Sequence, residues 1–357
     1  MKTSIFAVMS ENNSKILIDN YKVLQKQLFK LGLDIAHFAV IEDLLGVDYK
    51  SFGTGLKIFI EDDEAKASSL LVPLNKMDDF GNGIFSSASN NMIVINKSAL
   101  NSMDKFREIV KNVLKLDYDN YSIKCFGISE ENLCNYLKEF KNNNNVFDYY
   151  TQTEYGDSLI VFRFLTNITT SVKDGIVSTF VKDLKDTFYA SKDVSLSRAT
   201  FEILTLRKVK ISTAESFTGG QVANTIIREN AGSSAIIEDA YVVYSDKIKH
   251  NVLGVEQSTL TKFTAVSAET AYEMVIGLLG KNTCDVAIAT TGYANHTNPK
   301  LSGLFFTAVG DKEAVHVYKH KIEGDREFVI RYGTNVAMFE LIKKLRQNAL
   351  NISNFAI

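Results

Sequence analysis

From about residue 193 onward the chain alternates strand-type and helix-type apolar patterns, and this alternation restricts its fold more than any other feature. Helical spacing predicts helices over 195–206, 218–229, 267–280 and 325–348, with a short one over 246–251. Strand patterns fall at 209–213, 239–244, 284–290, 303–309 and 313–320. So many apolar strands need cover on both faces of a sheet, which predicts a mixed α/β domain with helices on both sides. Within it, the segment from Ile211 to Gly220 runs off a strand into Gly219-Gly220 and then a helix. Ser216 therefore sits at a strand-to-helix corner, where a hydroxyl meets free helix N–H groups. That position suits a nucleophile or an anion-binding serine, and equally a plain helix cap.

The first forty residues read β-α-β. A strand over 2–8 is followed by a helix from Ile16 to Leu31, closed by Gly32, and by a strand from Leu33 to Ile41. A parallel sheet follows from that order. Further strands are predicted at 56–60, 69–73 and 92–95, with helices at Phe106 to Leu116 and over 129–140. The polar run Lys141 to Asn145 breaks the last of these. Between 146 and 190 lie one clear strand, Ser158 to Leu165, and a helical stretch from Ile176 to Phe188. With 357 residues and 45% hydrophobic content, the chain can bury more than one core. Three units are expected: an α/β domain over 1–140, a small α+β linking domain over 141–190 and an α/β domain over 191–357.

Forty basic residues stand against 42 acidic ones, and the basic residues are dispersed rather than striped, so no direct nucleic-acid binding is expected. The opening apolar run, Ile5 to Met9, is too short for a signal peptide or a membrane span, and a cytoplasmic protein is expected. Cys125, Cys134 and Cys284 are far apart, which indicates neither a disulfide framework nor a zinc site. The five histidines, His37, His250, His296, His316 and His320, lack metal-site spacing. No metal and no cofactor is expected.

Open α/β sheets bind ligands at strand ends, and four such places carry polar residues. The first is Glu215-Ser216-Phe217-Thr218-Gly219-Gly220, whose glycines permit close approach to backbone N–H groups. The second runs from Tyr244 through Ser245 to Lys249; a capping Ser245 brings Lys249 back toward Tyr244. The third, Thr290-Thr291-Gly292, offers a hydroxyl and N–H donors, and the fourth is Gly324-Asp325-Arg326, with Arg331 about a turn and a half later. Two cations there suit an acidic substrate such as a phosphate. Serine is a weak nucleophile until a base takes its proton, and lysine serves only if desolvation keeps it neutral part of the time. Lys249 is the best-placed base, and N–H groups around Thr218 and Gly219, aided by Thr291, can hold an oxyanion. The same residues also read as a cap, a surface lysine, a turn threonine and solvated helix cations. On pattern alone they support a small-molecule enzyme without choosing one.

These places resemble the C-terminal domain of the CinA family and the stand-alone nicotinamide mononucleotide deamidases built on it. The resemblance rests on Thr213 to Gly220, Ala231-Gly232-Ser233-Ser234, Tyr244-Ser245-Asp246-Lys247-Ile248-Lys249, Leu253-Gly254-Val255, Ala265-Val266-Ser267, Gly303 and Gly324-Asp325-Arg326. It implies hydrolysis of the carboxamide of nicotinamide mononucleotide to nicotinate mononucleotide and ammonia. By the same resemblance Ser216 is the nucleophile, Lys249 the base, Tyr244 an organiser of the serine and Thr291 a hydroxyl beside the oxyanion. Thr218, Gly219, Gly220 and Gly292 line the substrate, while Arg326 and Arg331 hold the phosphate. A homodimer is also implied.

The first half resembles the molybdopterin-binding-like domain of full-length CinA proteins, with Phe126-Gly127-Ile128-Ser129-Glu130 matching the start of the linking domain. Here the chain departs from that family. Met9-Ser10-Glu11-Asn12-Asn13 replaces an acidic, Gly-rich opening, and Pro73-Leu74-Asn75-Lys76-Met77 before Asp78 and Asp79 replaces a Gly-rich loop. Without those glycines an N–H cradle for a diphosphate is hard to build. Loss of ADP-ribose pyrophosphatase activity is expected. In the C-terminal half Phe217 replaces a cysteine, which reads as a bulk change beside the serine, and Gly292-Tyr293-Ala294-Asn295-His296 lacks the family's second glycine and proline. Two alternatives stay open: a catalytically silent partner in competence or DNA repair, and an amidase for another small amide.

Overall fold

In the computed structural model, residues 2–8, 14–41, 56–61, 78–79, 84–87, 92–96, 108 and 117–353 are described. The β-α-β opening is present as β1 (Lys2–Val8), α1 (Ser14–Lys30) and β2 (Asp34–Ile41), with β1 and β2 parallel. β3 (Leu56–Glu61), β4 (Asp78–Asp79), β5 (Ile84–Ser87) and β6 (Met92–Asn96) complete a six-stranded sheet of order β2-β1-β3-β6-β5-β4. The predicted strand at 69–73, the loops at 9–13 and 73–77 and, apart from Glu108, the predicted helix at 106–116 lie outside the described residues.

Next come β7 (Tyr118–Phe126), α2 (Glu130–Asn143), β8 (Phe147–Glu154), β9 (Asp157–Leu165), α3 (Thr170–Leu184) and β10 (Phe188–Ala190), with sheet order β10-β7-β9-β8. The helix predicted over 176–188 starts six residues earlier and ends at Leu184, because Lys185 turns to φ 48° and Phe188 pairs antiparallel with Cys125. Contacts divide the chain into two units. One comprises 1–122, 134–152 and 160–180; the other comprises 123–133, 153–159 and 181–357. Inside the second, Asp157 joins the three segments: Lys124 Nζ meets its Oδ2 at 2.9 Å and the Tyr189 hydroxyl donates to its Oδ1 at 2.8 Å.

The C-terminal elements of that unit follow the expected alternation. They are α4 (Leu196–Arg207), β11 (Ile211–Glu215), α5 (Gln221–Glu229), β12 (Ile237–Val242), α6 (Asp246–Leu253), α7 (Gln257–Phe263), α8 (Ala268–Leu279), β13 (Val286–Gly292), β14 (Leu304–Asp311), β15 (Val315–Lys321) and α9 (Arg326–Ser353). The sheet order is β12-β11-β13-β14-β15, parallel across the first three strands and antiparallel beyond. Only α7 was not predicted; its polar QSTLTKF sequence buries just Thr259 and Leu260.

Period-2 alternation assigns the two sheet faces. Val286 and Ile288 of β13, with Phe305 and Val309 of β14, share a core with α4, α5 and α9. Ala287 and Ala289, with Phe306 and Ala308, pack instead against α6, α7 and α8. Serine side chains cap the entries of α4, α6 and α8: Ser195, Ser245 and Ser267 accept from the N–H groups three residues on. Among the described residues no helix is long and apolar enough to cross a membrane.

Phe217 is not a bulk change beside the serine. Its ring is buried in the α9-side core, 5.1 Å from the Phe305 ring, and a Cβ added at Gly333 of α9 would run into it. Position 333 is glycine because position 217 is large. Gly333→Val is therefore expected to destabilise by about 1–3 kcal/mol through overpacking. The loss should be smaller in a Phe217→Leu background, since residues in contact do not add. Urea unfolding of the two single variants and the double variant checks this; strictly additive losses would contradict the contact.

Candidate active site

β11 lies between two parallel neighbours and delivers the chain to the carboxyl end of the sheet, beside the end of β13, where open α/β sheets bind ligands. Ser216 is the first residue beyond β11. Its N–H donates to Thr290 O at 2.9 Å, and its carbonyl accepts from Gly219 N at 3.1 Å, which closes a tight turn. Gly219 and Gly220 carry φ of 62° and 89°, a region open to glycine, and so lead the chain into α5.

Lys249 arrives from α6. The Ser245 side chain caps this helix by accepting from Ile248 N, and Gly254 ends it in the left-handed region. Lys249 is only 1% exposed; its Nζ donates to Ser216 Oγ at 3.2 Å and to Tyr244 O at 3.3 Å. Burial pushes the amine below its ordinary value of 10.5, and Asp246 opposes this in part. Ser216 is itself 7% exposed, so hydroxyl and amine meet in a largely dry setting.

Thr291 stands at the end of β13, buried, with its hydroxyl donated to Ala265 O at 2.6 Å. Tyr244 touches Lys249 through its carbonyl, while the residue as a whole is 65% exposed. Gly292 faces Phe305 across the β13–β14 ladder, where any Cβ would collide with the Phe305 side chain. The altered loop after Gly292 is folded on itself: Gly303 N donates to Tyr293 O at 2.7 Å, and the His296 ring stands edge-on to Tyr293 at 4.9 Å.

The N–H donors differ from those expected. Gly219 N is spent on Ser216 O, and the N–H groups of Val222 and Ala223 are spent on the Glu215 carboxylate. Those of Phe217, Thr218 and Gly220 have no acceptor among the described residues. Glu215, fully buried at the end of β11, escaped sequence reasoning as a site residue. The available signal was a carboxylate at an inward strand position just before a helix start, where N–H groups favour a negative charge.

The two cations stand in different settings. β15 runs in the same direction as β13, so α9 begins at the same sheet edge as Ser216 and Thr291, and Arg326 lies exposed on its first turn. Arg331 pairs with Glu327 at 2.8 Å and lies over the Tyr155 ring at 5.1 Å. It lines a cavity of about 230 Å³ with Gln221, Asn224, Arg228 and Asn335.

This fold and site define an α/β domain with a buried serine–lysine pair at the carboxyl ends of parallel strands. Residues 193–345 match the CinA C-terminal domain, and this part of the chain is a CinA-type domain. A protein of Clostridium beijerinckii, named as competence-damage inducible, is 38% identical over 165 residues, 45% of this chain and 40% of that protein. A CinA-like protein of Fusobacterium nucleatum is 31% identical over 242 residues, 66% of this chain and 58% of that protein. A solved CinA superfamily protein from Klebsiella pneumoniae is 31% identical with a TM-score of 0.41, covering 43% of this chain and 96% of that one. The matched segments thus span 40% and 58% of these two curated relatives.

The buried amine has a measurable effect on stability. The unfolded chain binds the Lys249 proton more tightly than the folded chain, so stability rises with pH between the depressed folded value and 10.5. Lys249→Met removes that penalty. The variant is expected to be more stable than wild type near neutral pH, with the gap narrowing as pH approaches 10.5. Denaturant unfolding at two pH values checks this; a gap that widens with pH would contradict it.

Proposed function

We propose that the C-terminal domain hydrolyses the carboxamide of nicotinamide mononucleotide to nicotinate mononucleotide and ammonia. The 3.2 Å approach of Lys249 Nζ to Ser216 Oγ, in a setting that depresses the amine, is the observation that carries this reading. The specific carboxamide is taken from the motif resemblance. Neutral Lys249 takes the Ser216 proton as Oγ attacks the amide carbon. The unspent N–H groups of Phe217 and Thr218 are available to the developing oxyanion, the first of them belonging to the residue after the nucleophile. The ammonium of Lys249 then gives its proton to the departing nitrogen, and ammonia leaves an acyl-serine. A water, deprotonated by the same amine, frees the acid and restores the hydroxyl.

Thr291, whose proton is held by Ala265 O, turns its oxygen lone pairs rather than a donor to its surroundings, and so orients the substrate amide instead of stabilising the oxyanion. Arg326, exposed at the same sheet edge, is the cation available to the phosphate. Arg331 is held by Glu327 and Tyr155 in its own groove.

Supplying nicotinamide mononucleotide should release ammonia and the acid product, with nicotinamide and glutamine as comparison amides. Ser216→Ala and Lys249→Arg should each lower turnover by about 10³-fold or more, because arginine cannot give up its proton at working pH. The rate of the wild type should rise with pH along a limb whose midpoint lies below 10.5. A folded Ser216→Ala variant with full turnover would remove the serine from its role. Absence of product from any amide would favour a silent partner protein, the reading suggested by the competence-damage names of the relatives.

For residues 1–190 we infer no diphosphate cleavage, because the glycines of the phosphate loop are replaced by Pro73 to Met77. The 357-residue Ser216→Ala chain, given ADP-ribose and a divalent metal, should release no AMP. Metal-dependent release would reverse this inference.

A further inference from the structure

The turn that carries Ser216 is held by a buried carboxylate that the reaction above leaves unused. Glu215 Oε2 accepts from the Thr218 hydroxyl at 2.7 Å and from Val222 N at 3.0 Å, and Oε1 accepts from Ala223 N at 3.0 Å. Because Thr218 gives its proton to Glu215, its 2.7 Å contact with the Thr290 hydroxyl needs Thr290 as the donor. One directed chain therefore runs from Thr290 through Thr218 to Glu215. It joins the end of β13, the serine turn, the end of β11 and the first turn of α5.

This layer is not what packing alone would select. The hydroxyls of Thr213 and Thr307 are buried without a hydrogen-bond partner among the described residues. Thr307 stands opposite Thr290 across the β13–β14 ladder, and Thr213 lies two residues before Glu215 on β11. Isosteric apolar residues would avoid burying unpaired hydroxyls. The acceptor set also has a consequence at the serine. By taking two N–H groups of α5 and the Thr218 hydroxyl, Glu215 fixes the turn from the side opposite Lys249, and the N–H groups of Phe217 and Thr218 stay unspent.

We propose that Glu215 is a positioning residue: with Thr218 and Thr290 it locks the 216–220 turn so that Ser216 Oγ stays within reach of Lys249 Nζ. This rests on the serine–lysine reading given above. It is tested by the rate at which a fluorophosphonate modifies Ser216, followed by intact mass, together with kcat and KM on nicotinamide mononucleotide. The 357-residue wild type is compared with Glu215→Gln, Thr290→Val and Thr290→Ser, each shown to be folded by circular dichroism.

Glutamine must turn an NH2 donor toward an N–H or a hydroxyl donor. Glu215→Gln and Thr290→Val are expected to slow both modification and kcat by about 100-fold, the scale of a small misplacement, with little change in KM. Thr290→Ser, which keeps the hydroxyl, is expected to recover most of that loss. Folded Glu215→Gln or Thr290→Val that reacts as fast as wild type would overturn the proposal and leave the network a purely structural one. If Glu215→Gln does not fold, the Thr290 pair decides. A wild type that is labelled but leaves nicotinamide mononucleotide intact would sink the substrate, while the labelling comparison would still support or overturn the role of Glu215. A folded wild type that is never labelled would sink the serine–lysine reading and this proposal with it.

Discussion

A buried amine with no ion-pair partner among the described residues is the constraint on which the rest of the C-terminal domain turns. Lys249 is almost fully enclosed, and its ammonium form would have only the Ser216 hydroxyl and the Tyr244 carbonyl as acceptors. Its hydrogen bonds go to neutral oxygens, and Asp246 offsets the burial only in part. Burying a charge under those terms is costly, so the fold favours the neutral amine, which is the form that can take a proton from serine. The energetic penalty and the chemical capacity are one property of the same side chain.

The sheet keeps the two demands of such a site apart. On the face toward α6 and α8, small residues, Ala214, Ala287 and Ala289, let the helices approach and bring Lys249 and Thr291 to the strand ends. On the face toward α5 and α9, Glu215, Thr218 and Thr290 form the polar support under the turn. Ser216 stands where the two faces meet, with its N–H tied to β13 and its carbonyl to Gly219. Two conformational needs, positive φ at Gly219 and Gly220, explain why glycines stand just where the chain enters the helix.

Much of this was legible in the sequence, because period-2 and 3.6 patterns are strong in the C-terminal half. The order of strands and helices, the corner at Ser216 and the return of Lys249 to the strand end all follow from such patterns and from the Ser245 cap. What escaped depended on partners distant in sequence. β11 runs two residues beyond its predicted end because Glu215, polar by composition, is buried by donors from α5. The oxyanion donors could not be told apart until the backbone bonds of Gly219 were visible, and Phe217 declared its place only through Gly333 and Phe305. Tyr244 and Arg331 are the clearest shifts in expectation. The first meets the site by its carbonyl, and the second is drawn into a groove by Glu327 and Tyr155.

The most direct measurement is the titration of the Lys249 side chain itself, by NMR of the protein with isotopically labelled lysine and a Lys249→Arg chain for assignment. A midpoint below the ordinary 10.5 is expected, as burial beside Ser216 requires. A Lys249 that titrates at or above 10.5, like a solvated lysine, would contradict the buried serine–lysine pair.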